Sequence, residues 1–378
     1  MKVLHVTSGG DTGGGKSHIL GLLSALQGKI DAHILCFLPG PVYQGAMERG
    51  IPARLLPQER RYDLSVLKEL RRVIGAGGYD LIHSHGSRSN FLLALLKRRL
   101  HVPLVTTIHS DYELDFLGNI YKQLVYKNLN KLALRNFDYY IAVSGNFRDM
   151  LISRGFPAGR LFTVYNGLDL SQVGRPTLGR DAFLKEMGVE LNSRSLLVGT
   201  MGRLHPVKGQ GVLLKAIPRV LADFPQTHFL IAGDGSEHKN LVQQAQRLGV
   251  GAQVHFAGYV QEAGNYFNAV DINVLPSKSE SFPYVLLEGA LYRLPTVASA
   301  VGGIPELIVD GENGFLVAPG DSGELAQRLL CLLGDGELRR RLGENFFAHV
   351  RDNFSTVKLA ADHVSIYEEI LAEVTKGR

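Results

Sequence analysis

Short runs of β-branched and leucine residues alternate with helix-length segments along most of this 378-residue chain. Such alternation predicts βαβ units built around parallel sheets. In the first half, strands are predicted at 3–7, 32–37, 54–56, 81–84, 104–108, 140–143 and 162–165. In the second half, they are predicted at 196–201, 229–232, 254–256, 272–275, 296–298 and 315–317. The fold class is therefore α/β, with doubly wound sheets.

The alternation loosens between Asp169 and Arg194, where a proline and glycines indicate a linker. A chain with 45% hydrophobic residues is long enough for two cores. We therefore predict one Rossmann-like domain over 1–170, a second over 171–355, and a C-terminal helix over 356–378. From about Ser322 the pattern is helical to the end.

The composition and the N-terminal segment indicate the cellular compartment expected for the protein. No stretch approaches the roughly 20 apolar residues that span a bilayer, and the N-terminal segment enters a strand rather than resembling a signal peptide. Only two cysteines occur, Cys36 and Cys331, which favours a reducing cytoplasm.

Basic charge is concentrated in the first half. Residues 1–170 hold 21 Lys and Arg against 13 Asp and Glu, a net of +8, whereas the remainder holds 20 against 23, a net of −3. Lys127, Lys131 and Arg135 recur at a helical spacing that predicts one stripe, with Leu124, Val125, Leu129 and Leu132 on another face. The stripe is a solvated helix face, or it meets an anionic acceptor or membrane surface. Nucleic acid is disfavoured, because tryptophan and aromatic-basic alternation are absent from the sequence.

A glycine-rich loop follows the first strand. The segment from Gly10 to Ser17 satisfies the P-loop pattern, and glycines before a helix let backbone amides approach a phosphate. An NTPase also needs an aspartate at a strand end for Mg²⁺, and in this half only Asp111 could serve. A phosphate or sugar near Gly14 and Gly15, or a purely structural turn, are the other interpretations.

Three histidines, His83, His85 and His109, lie at predicted strand ends. A zinc site needs further ligands at defined spacing, and the nearest cysteine lies inside a strand, so no metal is expected. Strand-end histidines are more often packed hydrogen-bonding residues. His109 stands out because Asp111 follows two residues later.

Charged residues in the second half suit a phosphorylated ligand. Arg203 and Lys208 follow a strand and precede a helix, where two cations can neutralise a diphosphate leaving group. Glu280 is predicted on a loop and Glu288 in the second turn of a helix that starts at Pro283. Such a carboxylate pair can accept hydrogen bonds from sugar and ribose hydroxyls.

Taken in order, the segments GGDTGGGKSH, TIHSD, VYNGLD, GRLHPVKGQ, IAGDG, VHFAGYV, SKSESFPYVLLEGALYRLPTVASAVGGIPELI and NGFLVAPGD resemble glycosyltransferase family 4. These are retaining enzymes of the GT-B fold, in which two Rossmann-like domains face a central cleft and the last helix crosses back to the N-terminal domain. The resemblance implies an N-terminal acceptor-binding domain and a C-terminal nucleotide-sugar-binding domain.

The resemblance also implies roles for particular residues. Gly14 and Gly15 would approach the donor, and His109 would contact the transferred sugar. In the second domain, Arg203 and Lys208 would hold the diphosphate, Glu280 the sugar and Glu288 the ribose, while Tyr259 and Val260 would lie beside the base. The donor set is completed by Gly202, Ser281 and Phe282; His109, Arg203, Lys208 and Glu280 form the catalytic set. Pro283 departs from the glycine common in relatives and removes one amide donor.

The implied activity is metal-independent, cofactor-free transfer of a hexose or N-acetylhexosamine from a nucleotide-sugar, UDP favoured over GDP. The acceptor would be lipid-linked or a saccharide, in envelope or exopolysaccharide biosynthesis. The expected location is cytoplasmic, with peripheral membrane association as an option. An inverting GT-B transferase, a sugar-phosphate synthase and the P-loop NTPase are the competing hypotheses.

Overall fold

A computed structural model describes residues 1–58, 60, 63–111, 129–170, 176–192 and 195–376. The chain forms two compact units, Met1–Gly167 with Ser355–Arg378, and Leu168–Phe354. The first boundary lies three residues before the predicted position 170, and the second lies one residue before the predicted position 356.

The N-terminal unit is built on a seven-stranded sheet in the order β3-β2-β1-β4-β5-β6-β7. All neighbouring strands are parallel; for example, Thr7 of β1 lies opposite Cys36 of β2 and His85 of β4. The strands are β1 (Lys2–Thr7), β2 (Asp31–Cys36), β3 (Ala53–Leu55), β4 (Leu81–His85), β5 (Leu104–Ile108), β6 (Tyr139–Ala142) and β7 (Leu161–Thr163).

Parallel pairing requires crossover connections, and in the described residues helices supply them. Their bounds are Gly14–Leu26, Pro41–Glu48, Val66–Gly77, Ser87–Leu96, Gly145–Ser153 and Thr356–Lys376, with single turns at Lys97–Arg99 and Ala158–Arg160. The last of these helices, here called the C-terminal helix, returns to the first unit. It buries Leu359, Tyr367 and Ile370 in the same core as Val3, Leu22 and other residues of the N-terminal sheet and first helix.

The C-terminal unit contains a six-stranded parallel sheet in the order β10-β9-β8-β11-β12-β13. Its strands are β8 (Leu197–Met201), β9 (His228–Ala232), β10 (Val254–Gly258), β11 (Ile272–Leu275), β12 (Thr296–Ser299) and β13 (Phe315–Val317). Its helices are Arg180–Glu186, Gln210–Asp223, His238–Arg247, Ala263–Ala269, Tyr284–Leu291, Ile304–Leu307, Ser322–Gly334 and Gly336–Asn353, with one 3₁₀ turn at Pro206–Lys208.

The thirteen predicted strands are all present, with ends within two residues of the predicted ones. The doubly wound α/β prediction is therefore confirmed. One local prediction is wrong: Pro283 is not the first helical residue but the N-cap, with φ −78° and ψ 122°, and the helix begins at Tyr284.

Two predicted features fall partly outside the described residues. The linker residues 171–175 lie there, as do Lys127 of the basic stripe and Leu124 and Val125 of the other face. On that other face, Leu129 and Leu132 are both exposed to solvent. Across the residues that the structure describes, none of the helices combines the length and apolar character needed to cross a bilayer.

Candidate functional site

The loop that follows β8 is held against neighbouring strand ends by close backbone contacts. A Cβ on Gly233, whose φ is +130°, would lie 2.0 Å from the carbonyl oxygen of Gly202. A Cβ on Gly209, whose φ is +67°, would lie 2.0 Å from the carbonyl oxygen of Pro276. Only glycine tolerates both the backbone conformation and the approach. The loop is thereby fixed at the carboxyl end of the sheet, where open α/β sheets bind ligands.

Lys208 and Glu280 meet at this edge. The Lys208 Nζ donates to Glu280 Oε1 at 2.6 Å, and the Ser277 hydroxyl donates to the same oxygen at 2.7 Å. The Glu280 side chain is only 8% exposed, against 28% for Lys208. A carboxylate this deeply buried requires such partners, so the loop after β8 and the loop after β11 are joined by a charged hydrogen bond.

A glycine pair after β12 braces the Glu280 loop from its other side. A Cβ on Gly302, with φ +53°, would come within 1.6 Å of the Glu280 carbonyl oxygen. The Gly303 amide donates to the Ser281 carbonyl at 2.9 Å. The main chain of Glu280 and Ser281 is therefore held in place independently of the Lys208 ion pair.

Arg203 lies on the same loop as Lys208 but is exposed. Its carbonyl accepts a hydrogen bond from the Gln210 amide group at 3.1 Å, which fixes its main chain. No acidic side chain in the described part of the chain pairs with its guanidinium, which leaves its planar donors available to an anion. Lys208 and Arg203 together give this edge two cations.

Glu288 lies in the second turn of the helix Tyr284–Leu291, as predicted from the sequence. The side chain is half-buried. Desolvation raises the pKa of its carboxyl from 4.5 to about 7. The nearby acid also contributes, after burial, to the raised pKa values of Tyr284 and Tyr292. Glu288 thus changes charge near neutral pH, a property common at ligand sites.

The other predicted donor contacts differ in accessibility. Tyr259 is 75% exposed and follows β10, whereas Val260 packs against a core cluster. The Phe282 side chain is 2% exposed and its ring lies 5.2 Å from that of Phe354. Phe282 therefore anchors its loop in the core, and only its main chain is open to a ligand role. Ser281 is half-buried beside it.

The N-terminal unit carries the predicted glycine loop. The first helix begins at Gly14, after Gly13 with φ +57°, so Gly14 and Gly15 form its first turn. Asp11 accepts hydrogen bonds from the Thr7 and Ser8 hydroxyls at 3.0 and 2.9 Å, which fix the loop to the end of β1. The helix start can receive an anion, because its first amides lack intrahelical partners.

His109 follows β5 and joins a cluster of buried histidines. His85 Nδ1 lies 3.3 Å from His109 Nε2, and His5 Nδ1 lies 3.0 Å from His85 Nε2. The His18 ring, from the glycine-loop helix, packs edge-on against His109 at 4.5 Å between centroids. Burial lowers the pKa of His109 to about 4, although Asp11 opposes that shift. The ring is therefore neutral at pH 7.

Metal binding by this cluster was not expected from the sequence. The ring nitrogens of His5, His83 and His85, and those of His18, His85 and His109, lie within 4.8 Å of one another. Several of these nitrogens already form the hydrogen bonds described above. Neither group contains a carboxylate to balance a dication.

Asp111, the aspartate on which the NTPase hypothesis depends, has a structural role. It receives two hydrogen bonds from the Arg154 guanidinium, at 2.6 and 2.8 Å. Such a bidentate pair fixes the loop after β5 to the helix Gly145–Ser153 and its end.

Several residues that contact the predicted site residues or their neighbours are not predicted from the sequence. Ser277 shares the Glu280 oxygen, and Asn166 lies 2.9 Å from His18 Nδ1. His83 contacts the Tyr367 hydroxyl of the C-terminal helix at 2.6 Å. The segments GGDTGGGKSH and VYNGLD contain His18 and Asn166, so the signal was present, but their contact spans 148 positions.

The chain is similar to known proteins across both of its units. Residues 186–348 match the family model "Glycosyl transferases group 1", and residues 12–172 match "Glycosyltransferase Family 4". The D-inositol 3-phosphate glycosyltransferase of Corynebacterium efficiens is 30% identical over 363 residues, covering 89% of this chain and 80% of that protein. The N-acetyl-alpha-D-glucosaminyl L-malate synthase of Bacillus anthracis is 27% identical, covering 84% and 82%.

Among solved structures, Anabaena HepE in complex with UDP-glucose superposes with a TM-score of 0.80 at 25% identity, covering all of both chains. Two doubly wound parallel units, together with these similarities, define a GT-B glycosyltransferase. The chain belongs to glycosyltransferase family 4, as the sequence resemblance predicted.

Proposed function

We propose that this enzyme transfers a hexose or N-acetylhexosamine from a UDP-sugar, with retention of the anomeric configuration. The observation that carries the proposal is the Lys208–Glu280 hydrogen bond, at 2.6 Å, on a loop that also presents the exposed Arg203. A cation pair beside a held carboxylate matches a nucleotide-sugar, whose diphosphate is anionic and whose sugar presents hydroxyl donors.

The reaction breaks the bond between the anomeric carbon and the diphosphate oxygen and forms a bond from the acceptor oxygen to the same carbon. The acceptor proton passes to the departing phosphate on the same face of the sugar. Arg203 and Lys208 stabilise the negative charge that develops on the leaving group. Glu280 accepts hydrogen bonds from sugar hydroxyls, and Glu288 accepts hydrogen bonds from ribose hydroxyls. His109 orients the transferred sugar.

Two cations can supply the charge stabilisation that a divalent metal provides in other transferases. We therefore expect activity without added metal, and full activity in EDTA. Sensitivity to EDTA would instead indicate Mg²⁺ chemistry, as the P-loop hypothesis requires.

The choice of UDP is supported by the solved complexes of Anabaena HepE with UDP and UDP-glucose at 25% identity. GDP-sugars are the second candidate. Tyr259, exposed after β10, is proposed to lie beside the base together with Val260.

For the acceptor we propose a lipid-linked or saccharide hydroxyl in envelope or exopolysaccharide assembly, at a cytoplasmic membrane face. The net charge of +8 over residues 1–170 supports an anionic partner in that half. A small anionic acceptor is the second candidate. It is favoured by the two relatives at 30% and 27% identity, whose names specify inositol 3-phosphate and malate.

The test is a matrix of UDP-glucose, UDP-N-acetylglucosamine and GDP-mannose against undecaprenyl phosphate-linked sugars, inositol phosphates and malate. Nucleotide release identifies the donor and acceptor, and proton NMR of the product gives the anomeric configuration. Retention with a UDP-sugar is the expected result. An inverted product, or nucleotide hydrolysis that requires Mg²⁺ and Lys16, would overturn the proposal.

A further inference from the structure

A cavity of about 210 Å³ lies in the N-terminal unit, between the helix Val66–Gly77 and the strands β1, β2 and β3. We call it the edge cavity, because β3 is the edge strand of the sheet. Its lining includes three apolar and three polar side chains: Leu4, Ile34 and Val73, and His33, Arg54 and Tyr79. The cavity is distinct from the glycine loop, which follows the carboxyl end of β1.

The end of the helix shapes one wall of the edge cavity. The helix stops at Gly78, which caps it in the left-handed conformation with φ 62°, and the chain then turns into Tyr79. A Cβ on Gly77 would lie 2.1 Å from the Tyr79 ring. Glycine at position 77 therefore lets the ring lie against the helix end and border the cavity.

The apolar wall suits a single ring. Leu4 and Ile34 come from adjacent strands and are 1% and 0% exposed, and Val73 of the helix is 4% exposed. A cavity of about 150 Å³ with apolar walls holds a benzene molecule. A volume of about 210 Å³ therefore accommodates one ring and a small substituent.

The Tyr79 hydroxyl is a donor with only a weak partner. His33 Nε2 lies 2.8 Å from Asp31 Oδ1, and because a carboxylate only accepts, this nitrogen carries the proton in neutral His33. His33 Nδ1 is then an acceptor, and the Tyr79 hydroxyl donates to it across 3.4 Å. This distance is at the long limit for a hydrogen bond, so a closer acceptor in the cavity can replace His33.

The Arg54 guanidinium is also weakly held. Glu69 already accepts two short hydrogen bonds from Arg72, at 2.7 and 2.5 Å, whereas Arg54 Nη2 lies 3.3 Å from the same carboxylate. Ion pairs this exposed contribute little, so Arg54 can exchange Glu69 for another anion. Burial raises the pKa of the Tyr79 hydroxyl and Arg54 opposes that shift, so the two donors are close in space.

The two carboxylates near these donors are both paired with other cations. Glu69 is held by Arg72, and Asp31 is held by His33 at 2.8 Å and lies 3.7 Å from Lys2 Nζ. Their charges are therefore largely compensated, and an anion that enters beside Arg54 meets reduced repulsion.

We propose that the edge cavity is a second ligand site, which takes a small organic carboxylate with a single ring. The ring packs on Leu4, Ile34 and Val73, and the carboxylate accepts hydrogen bonds from the Arg54 guanidinium and the Tyr79 hydroxyl. Every residue of the site belongs to the N-terminal unit, and the proposal is independent of the proposed sugar transfer.

The direct test is methyl NMR of the full chain, labelled at isoleucine, leucine and valine methyl groups and titrated with benzoate. Resonances of Ile34 and Val73 are assigned by their loss in Ile34→Val and Val73→Met. We expect them to shift saturably with a Kd of about 1 mM or lower, and benzyl alcohol to bind about tenfold more weakly. No saturable shift at tens of millimolar benzoate, or equal affinities for the two compounds, would overturn the proposal.

Two variants probe the polar wall. Arg54→Met keeps an apolar stem and Tyr79→Phe keeps the ring, and each should lower benzoate affinity about tenfold while leaving benzyl alcohol unaffected. Arg71→Met is the matched control, because Arg71 is an exposed residue of the same helix outside the cavity. A loss in Arg71→Met as large as that in Arg54→Met would reduce the effect to general charge and overturn the site.

A third variant fills the cavity. Val73→Met places a longer, flexible side chain in it and should abolish binding. Its control is Val66→Met on the same helix, since Val66 is 5% exposed but does not line the cavity. Equal benzoate affinity in these two variants would contradict the assignment.

The diphosphate cations are the rival location for the anion. Arg203→Met should leave benzoate binding unchanged, and its loss in that variant would place the anion in the C-terminal unit and overturn the proposal. None of these measurements requires a nucleotide-sugar, so failure of sugar transfer and failure of the edge cavity are separate results.

Discussion

The Lys208 ammonium donates a hydrogen bond to Glu280 Oε1 at 2.6 Å. This bond links the lysine that is predicted to hold the diphosphate with the carboxylate that is predicted to hold the sugar. The sequence places these residues 72 positions apart. Each thus restrains the other before any ligand binds, and Ser277 holds the same carboxylate oxygen at 2.7 Å. Preorganised charges of this kind need little rearrangement when the donor arrives.

Arg203 tests the diphosphate assignment, because it is exposed and its loss should leave the fold intact. Arg203→Lys retains the charge but loses the planar fork that binds two oxygens. We expect the UDP affinity of Arg203→Lys to be about tenfold lower than that of wild type, and the UDP affinity of Arg203→Met to be lower still. Isothermal titration calorimetry measures both affinities. Arg180→Lys is the matched control, because Arg180 pairs with Asp271 before the start of β11. Equal UDP affinity in Arg203→Met and wild type would contradict the assignment.

Glu288 should make nucleotide binding depend on pH near neutrality. Burial raises its carboxyl pKa to about 7, so the ionised acceptor forms only as pH rises through that value. We expect UDP affinity to increase between pH 6 and pH 8, whereas Glu288→Gln should bind more weakly with a flatter profile. Identical pH profiles for the two proteins would rule out this role for Glu288.

The same shift predicts a gain in stability for Glu288→Gln. Between pH 4.5 and about 7 the unfolded carboxyl loses its proton before the folded one does, so folding becomes less favourable as pH rises. Above about pH 7 both forms are ionised, and the loss of folding stability caused by the raised pKa reaches its full value. At pH 8 we expect the free energy of unfolding of ligand-free Glu288→Gln to exceed that of wild type by about 1–2 kcal/mol. Denaturant titration measures it, and a less stable variant would count against the raised pKa.

Gly302 should be required for the position of the Glu280 loop. A Cβ there would lie 1.6 Å from the Glu280 carbonyl oxygen, so Gly302→Ala must displace that loop. Gly311→Ala is the matched control, since Gly311 also has a positive φ, +77°, but nothing lies within 4 Å of its added Cβ. We expect Gly302→Ala to cost about 1–3 kcal/mol more than Gly311→Ala and to weaken UDP-sugar binding. Equal behaviour of the two variants in thermal melts and calorimetry would contradict this.

The buried histidines should make the protein sensitive to acid. The pKa values of His5 and His109 are lowered to about 3 and about 4, and burial also lowers those of His18, His83, His85 and His363. Below pH 6.5 the unfolded chain binds protons that the folded chain does not, so stability falls as pH decreases. We expect the melting temperature to drop steeply between pH 6.5 and pH 4, less so in His363→Phe. A flat profile over that range would show that the rings are not held neutral.

The strands and helix positions could be predicted from the sequence because they depend on local residue patterns, whereas contacts between distant residues could not. Each strand is predicted because β-branched runs and glycine turns are local signals. Glu288 is placed in the second helical turn because it lies shortly after Pro283, which marks the start of a helix. The contact of Lys208 with Glu280, and of His5 with His85 across 80 positions, depends on which strands become neighbours in the sheet. Phe282 shows the converse, since its motif suggested a ligand contact while packing against Phe354 buries its ring.

The C-terminal unit is proposed to bind a nucleotide-sugar through Arg203, Lys208 and Glu280. This binding is tested most directly by calorimetric titration of wild type and Glu280→Gln with UDP and with UDP-glucose or UDP-N-acetylglucosamine. Glu280→Gln is expected to bind UDP nearly as wild type does but to bind the preferred UDP-sugar, and to turn it over, about tenfold to hundredfold less well. Wild type that binds neither ligand at millimolar concentration, or Glu280→Gln with undiminished sugar transfer, would contradict the account.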